Sequence, residues 1–170
     1  MANWCNARLI VAGRTADVVR FRHTARAQPS VLFREDMLQG QAQELFSERA
    51  TDMGSGRLAK HYIFQIRSDN GVEHFLSISQ SRPQLSFILV YGFDNEYGSH
   101  FIVRGRARSY LISDRVMERV MTKHGADDNP DNEWAFQPHI DAEVELMDLA
   151  EARWHNALER STSRSGSATR

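Results

Sequence analysis

A chain of 170 residues suits one domain with an embellishment rather than two independent domains. Its apolar fraction of 41% is enough to build a core, and 21 basic against 22 acidic residues leave a net charge of −1. That balance excludes a global attraction to nucleic acid, so any such binding must come from a local patch. The one cysteine, Cys5, rules out an intramolecular disulfide and the metal sites built from several thiolates. The opening MANWCNARLIVAG lacks a basic stretch followed by an apolar run, and no apolar stretch approaches the ~20 residues that span a bilayer. The expectation is a soluble, cytoplasmic protein with no membrane contact.

Asn6 to Gly13 alternates loosely and is rich in branched residues, which predicts a strand ended by Gly13. Thr15 can cap a following helix with Asp17 in its first turn, and Val18, Phe21 and Ala25 recur at spacings of three and four. Pro29 closes that unit. Val31 to Phe33 reads as a short strand. Glu35 to Ala50 reads as a helix, with Leu38, Ala42, Leu45 and Arg49 on one face and Gly40 weakening it. Thr51 to Arg57, with Met53-Gly54-Ser55-Gly56, reads as a flexible loop that lacks the lysine and strand context of a phosphate loop.

Tyr62 to Arg67 predicts a strand, and Ser68 to Gly71 a turn. Val72 to Arg82 carries Val72, Phe75, Leu76 and Ile78 near helical spacing, with Pro83 as its stop. Leu85 to Tyr91 is the most strand-like run in the chain. A loop over Gly92 to Gly98 leads into a strand from His100 to Tyr110, and the two strands make an antiparallel hairpin. Beyond Tyr110 the period changes. Ser113 can cap a helix carrying Val116, Val120 and Met121 that stops at Gly125. After the loop DDNPDNE, a longer helix carries Ile140, Val144, Met147, Trp154 and Leu158. The Ser/Thr/Arg/Gly tail from Ser161 to Arg170 has nothing to pack and reads as disordered.

The order strand, helix, short strand, strand, helix, strand, strand resembles a ferredoxin-like α+β sandwich. The opening Asn3-Trp4-Cys5-Asn6, followed by Leu9, Val11 and Gly13, resembles the N-W-C start of the YubB-type proteins of phages and plasmids. The run Phe75-Leu76, Pro83, Leu85, Phe87, Leu89 and Tyr91 is similar to that family's second helix and the strand after it. The resemblance covers about the first 30 residues and Tyr62 to Arg108. The segments between and after depart from it, without the tryptophan and the proline pair common in the family after the Tyr62 to Arg67 strand. It implies an antiparallel sheet with helices on one face over residues 1–110 and a mobile-element context. It carries over no active site. Residues 111–160 then form a C-terminal helical extension packed on that domain.

Strand parity gives the leading site. From Phe101 onward alternate residues face opposite ways, so Phe101, Val103, Gly105 and Ala107 face the helices, and Arg104, Arg106 and Arg108 lie on the opposite face. Arg8 and Arg67 fall on that same face, and an arginine-lined sheet is a surface for RNA, DNA or acidic partners. Single-stranded RNA would need stacking rings, and only Tyr110 is at hand. Ile10, Ile63, Ile88 and Val90 share the face, so the C-terminal helix is its natural cover, with Asp141, Glu143, Glu145 and Asp148 available to the arginines. Phe93 to Tyr97, with aromatics Phe93 and Tyr97 at a hairpin tip, is a second candidate contact surface.

The histidines include no pair at i, i+4, and DDNPDNE lacks the glycine of a calcium loop, so neither metal nor cofactor is expected. Cys5 beside Trp4 reads as packed rather than nucleophilic. These readings point to a non-enzymatic binding protein of a phage, plasmid or other mobile element, contacting a host or element protein sooner than nucleic acid. Inhibition of a host defence by occupying a site is one form such contact takes. A nucleic-acid module using Arg104, Arg106 and Arg108 is the alternative. An enzyme built around His61, His74 or His100 requires those side chains to converge. A homo-oligomer through exposed strand edges stays open.

Overall fold

The structure, a computed structural model, describes residues 4–27, 30–32, 45–67, 71–93, 96–126 and 136–164. Strands β1 (Trp4–Arg14), β2 (Leu45–Gly54), β3 (Arg57–Arg67), β4 (Ser86–Phe93), β5 (Glu96–Val103) and β6 (Arg106–Leu111) form one antiparallel sheet in the order β2-β3-β1-β4-β5-β6. Helices α1 (Thr15–Arg26) and α2 (Val72–Ser81) follow β1 and β3, while α3 (Asp114–His124), α4 (Phe136–Ala152) and α5 (His155–Arg164) follow the sheet. The fold is α+β. Its sheet is longer than the four-stranded ferredoxin-like arrangement, and helices cover both faces instead of one.

Alternation along the strands sorts the side chains into two cores. On the first face Ala7, Leu9 and Val11 of β1 meet Val18, Phe21 and Ala25 of α1 and Phe75 and Ile78 of α2. Phe21 sets its edge against Tyr62 at 6.0 Å and against Phe87 at 5.7 Å. On the second face Ile10, Ala12, Ala59, Ile88, Val90 and Phe101 meet Ala142, Leu146, Met147 and Ala150 of α4 and Trp154, Ala157 and Leu158 from the α5 end. Strands β1 and β4 are buried on both sides, which is why ARLIVAG and SFILVYG read as nearly continuous apolar runs. Burying each such aliphatic side chain is worth about 1.5–3 kcal/mol.

Several expectations are corrected. Residues 45–50 belong to β2, not to the end of a helix, and the rest of the expected helix lies outside the described residues. Val31 and Leu32 form a turn rather than a strand, and Phe33 lies outside the described residues. The expected loop after Thr51 is the end of β2 and a two-residue hairpin turn. Ser55 (φ 55°) and Gly56 (φ 69°) sit between the paired residues Gly54 and Arg57, the φ signature of the mirror-image turns that suit twisted strands. The run from His100 to Tyr110 is two strands, because Arg104 (φ 52°) and Gly105 (φ 70°) make a second such turn between the paired residues Val103 and Arg106. Helix α5 reaches Arg164, so Ser161 to Arg164 are helical, and residues 165–170 lie outside the description.

The single long C-terminal helix is broken at Arg153 and Trp154 into α4 and α5. Its buried stripe runs through Ala142, Leu146 and Ala150, whereas Ile140 and Val144 are exposed. Helix α3 ends as expected at Gly125, whose left-handed φ of 67° turns its N–H back to the carbonyls of Met121 and Thr122. Among the described residues no helix is long and apolar enough to cross a membrane.

Because α4 closes half the core, Leu146→Ala should lower the unfolding free energy by about 2–5 kcal/mol in a urea titration, with one cooperative transition. A loss well under 1 kcal/mol would show that α4 is peripheral to the fold.

Candidate functional site

Helices α4 and α5 lie across β1, β4 and β5 and leave the two ends of the second face uncovered. One end is the edge strand β6, and the other is the surface of β2 and β3. The expected arginine site is divided between covered and open ground. Arg8 points into the covered part and pairs with Asp148 and, at 3.9 Å, with Glu151 on α4. It fastens the helix to the sheet. Arg67 ends β3 opposite Trp4, and Phe93 ends β4, with side chains outside the described residues.

Of the carboxylates expected to meet arginines, only Asp148 does so among the described residues. Glu143 accepts from Asn6 Nδ2 at 2.5 Å, Glu145 pairs with Lys123 (2.5 Å) and His124 (2.7 Å), and Asp141 accepts from Gln137. Asn6 also accepts from Gln65 Nε2 at 2.6 Å, so the Trp4-Cys5-Asn6 start joins β1, β3 and α4. Cys5 is wholly buried in the first core. Tyr97 is not at a hairpin tip. Gly92 stands opposite it, and a Cβ there would come within 2.8 Å of the Tyr97 ring, so the ring packs against the bare backbone of Gly92. Burial, with the nearby Glu143 charge, pushes the Tyr97 hydroxyl up to about 12.

Arg104, Arg106 and Arg108 do come together, on the β5–β6 hairpin. The turn at Arg104 and Gly105 reverses the chain, so the parity argument does not carry through it. Arg106 stands opposite Val103, Arg108 opposite Phe101 and Tyr110 opposite Ser99, so the arginines lie on the expected face, that of Arg8, Ile10 and Ile88, and Phe101 and Val103 share it instead of facing away. The Arg108 guanidinium sits 5.3 Å from the ring centres of both Phe101 and Trp154. Arg153, in the turn between α4 and α5, lies 5.6 Å from the ring of Tyr110 and 5.9 Å from that of Trp154. Cations so placed are held by the negative ring faces while their N–H groups remain available. Arg104, Arg106, Arg108 and Arg153 are exposed, and none makes an ion pair among the described residues. Arg153 escaped the sequence reading because only the break after α4 brings it beside β6.

The histidines do not converge. His61 of β3 faces the second side of the sheet and His100 of β5 the first, while His74 on α2 is hydrogen-bonded to the Val31 carbonyl at 2.8 Å. His100 is buried, stacked on Tyr91 and hydrogen-bonded through Nδ1 to Ser109 at 2.8 Å. Among the described residues no three His, Cys, Asp or Glu side chains group as metal ligands. On the first face Glu48 accepts from Arg22 at 3.1 Å and from Arg26, with Lys60 at 3.4 Å. Burial pushes its carboxyl up, but these cations hold it below the ordinary 4.5. Comparison of the chain with protein-family models, curated proteins and solved structures finds no match.

Burial lowers the affinity of His61 and His100 for protons below the ordinary 6.5, with the Arg49 charge adding to the effect at His61 and the Glu96 charge opposing it at His100. The unfolded chain therefore takes up protons first as the pH falls, and the folded state loses ground. The melting temperature should hold above about pH 7 and drop as the pH passes below about 6.5, before Glu48 is protonated. His61→Gln should shrink that drop, which thermal scans across the range would reveal.

Proposed function

We propose that this chain is a non-enzymatic binding protein that takes an extended, acidic protein segment onto the β6 edge. The observation that carries this reading is the coincidence of an open strand edge with unpaired arginines. β6 pairs only with β5 among the described strands, so its other side presents main-chain donors and acceptors. Arg106 and Arg108 project from alternate positions on one face, and Leu111 on the other is 55% exposed. A strand added there gains main-chain hydrogen bonds, and carboxylates at every second residue meet the arginines. Nucleic acid would use the charges and leave the edge unused.

Edge charges also serve to block unwanted pairing. In a two-fold β6–β6 dimer the arginines of both copies would crowd one face, which disfavours a second copy of this chain as the occupant. The strands and helices β1-α1-β2-β3-α2-β4 support a ferredoxin-like core, with β5–β6 added beside β4 and α3 to α5 laid over the second face. The N-W-C start supports a phage or plasmid context for the partner.

The test is a titration of the full chain with an alternating Glu-Val peptide, its Lys-Val counterpart and an oligothymidylate. The acidic peptide should bind, weaken with added salt, and lose about tenfold or more in affinity with the double change Arg106→Glu and Arg108→Glu. Tighter binding of the oligonucleotide would favour the nucleic-acid reading. Equal binding of both peptides, or of neither, would overturn the proposal.

A further inference from the structure

At the opposite end of the second face, β2 and β3 extend beyond the cover of α5 and leave a groove of about 580 Å3. Ile10, Met53, Ala59 and Leu158 form its apolar part, and Arg49, His61, Glu151 and His155 its polar part. A second concavity lined by Arg8, Ile63 and Asp148 shares Ile10, Arg49, His61 and Glu151 with it. The volume falls within the ~300–1,000 Å3 of small-molecule sites, and a floor that is mostly apolar with a few converging polar groups is their usual make-up.

The charges decide what fits. Glu151 lies 3.4 Å from His155 and 3.9 Å from Arg8. Asp52 accepts the Gly54 N–H at 2.8 Å, and Arg57 and Glu159 have interactions of their own. Arg49 is exposed and makes no ion pair or hydrogen bond among the described residues. It stands directly opposite His61 across the β2–β3 pairing, and the His61 ring nitrogen lies 3.4 Å from Thr51 Oγ1. The groove therefore offers, at the rim of an apolar floor, a cation with no ion pair among the described residues, while Glu151 faces Arg8 and His155.

We propose that this groove binds a small organic carboxylate with an apolar body, the carboxylate meeting Arg49 beside His61 and the body lying on Ile10, Met53, Ala59 and Leu158. A lone inorganic anion would leave the floor wet and find one arginine. A ligand ammonium seated on the same floor would meet the like charge of Arg49. The bound carboxylate would also reach His61, around which the charges are Arg49, Lys60, Glu151 and His155. Arg49 and burial disfavour the imidazolium, and a negative charge placed between them favours it, so ligand binding and His61 protonation support each other.

Histidine ring resonances of the full chain would be followed by NMR during titration with benzoate and octanoate, with benzyl alcohol and benzylamine as isosteres. Benzoate or octanoate should shift the His61 signals saturably, raise the pH at which His61 titrates, and bind more tightly as the pH falls. Arg49→Ala should weaken binding about tenfold or more while the far-UV spectrum stays unchanged, and Arg49→Lys should retain part of it. No saturable shift with either carboxylate up to about 10 mM would overturn the proposal. Equal binding of benzylamine or benzyl alcohol, or undiminished binding by Arg49→Ala, would do the same. The β6 peptide titration reads a separate surface, so the two proposals stand or fall apart.

Discussion

The closure of the second face turns on one hydroxyl. Ser99, fully buried in β5, donates to the Ala150 carbonyl at 2.7 Å and accepts from Trp154 Nε1 at 2.8 Å. Ala150 lies in the last turn of α4 and Trp154 in the break itself, so this serine fixes where one helix stops and the next begins. A buried indole N–H and a helix-end carbonyl left without partners would each cost about 1–3 kcal/mol. With them satisfied, the Trp154 ring stacks on Phe101 at 5.9 Å and seals the core.

Both open places follow from that break. The turn after α4 sends α5 back toward β1 and β4, which brings Leu158 and His155 to the rim of the β2–β3 groove. The same turn leaves Arg153 beside β6, where it and Arg108 flank Trp154. Arg8 with Asp148 and Asn6 with Glu143 hold α4 at its other points of contact. The sheet is thus covered over its apolar centre and left bare where its strands turn polar.

The central strands and the flanking helices were legible because burial on both faces writes long apolar runs, and a single buried stripe writes a 3.6-residue period. β2 was not. As an edge strand with Arg49, Ala50, Thr51 and Asp52 exposed, it carries little alternation, and Leu45 and Arg49 happen to match a helical spacing. The signal that finds it is Gly54-Ser55-Gly56 directly before β3, a hairpin turn read instead as a loop. Arg104-Gly105 was missed in the same way, and with it the facing of Phe101 and Val103, which share the face of Ile10 and Ile88 with Arg106 and Arg108. The arginine cluster itself was legible, since all three lie within five residues of sequence. The groove was not, because Arg49, Glu151 and His155 come from elements whose meeting depends on where α4 breaks.

Native-state hydrogen exchange tests the central claim, that α4 and the sheet form one closed core with β6 left as an open edge. Amides of α4 should exchange with those of β1 and β4 only through global unfolding, while outward amides of β6 exchange much faster. Exchange of α4 well ahead of β1 and β4 would contradict the account, since the helices would then lift from a sheet that stands without them.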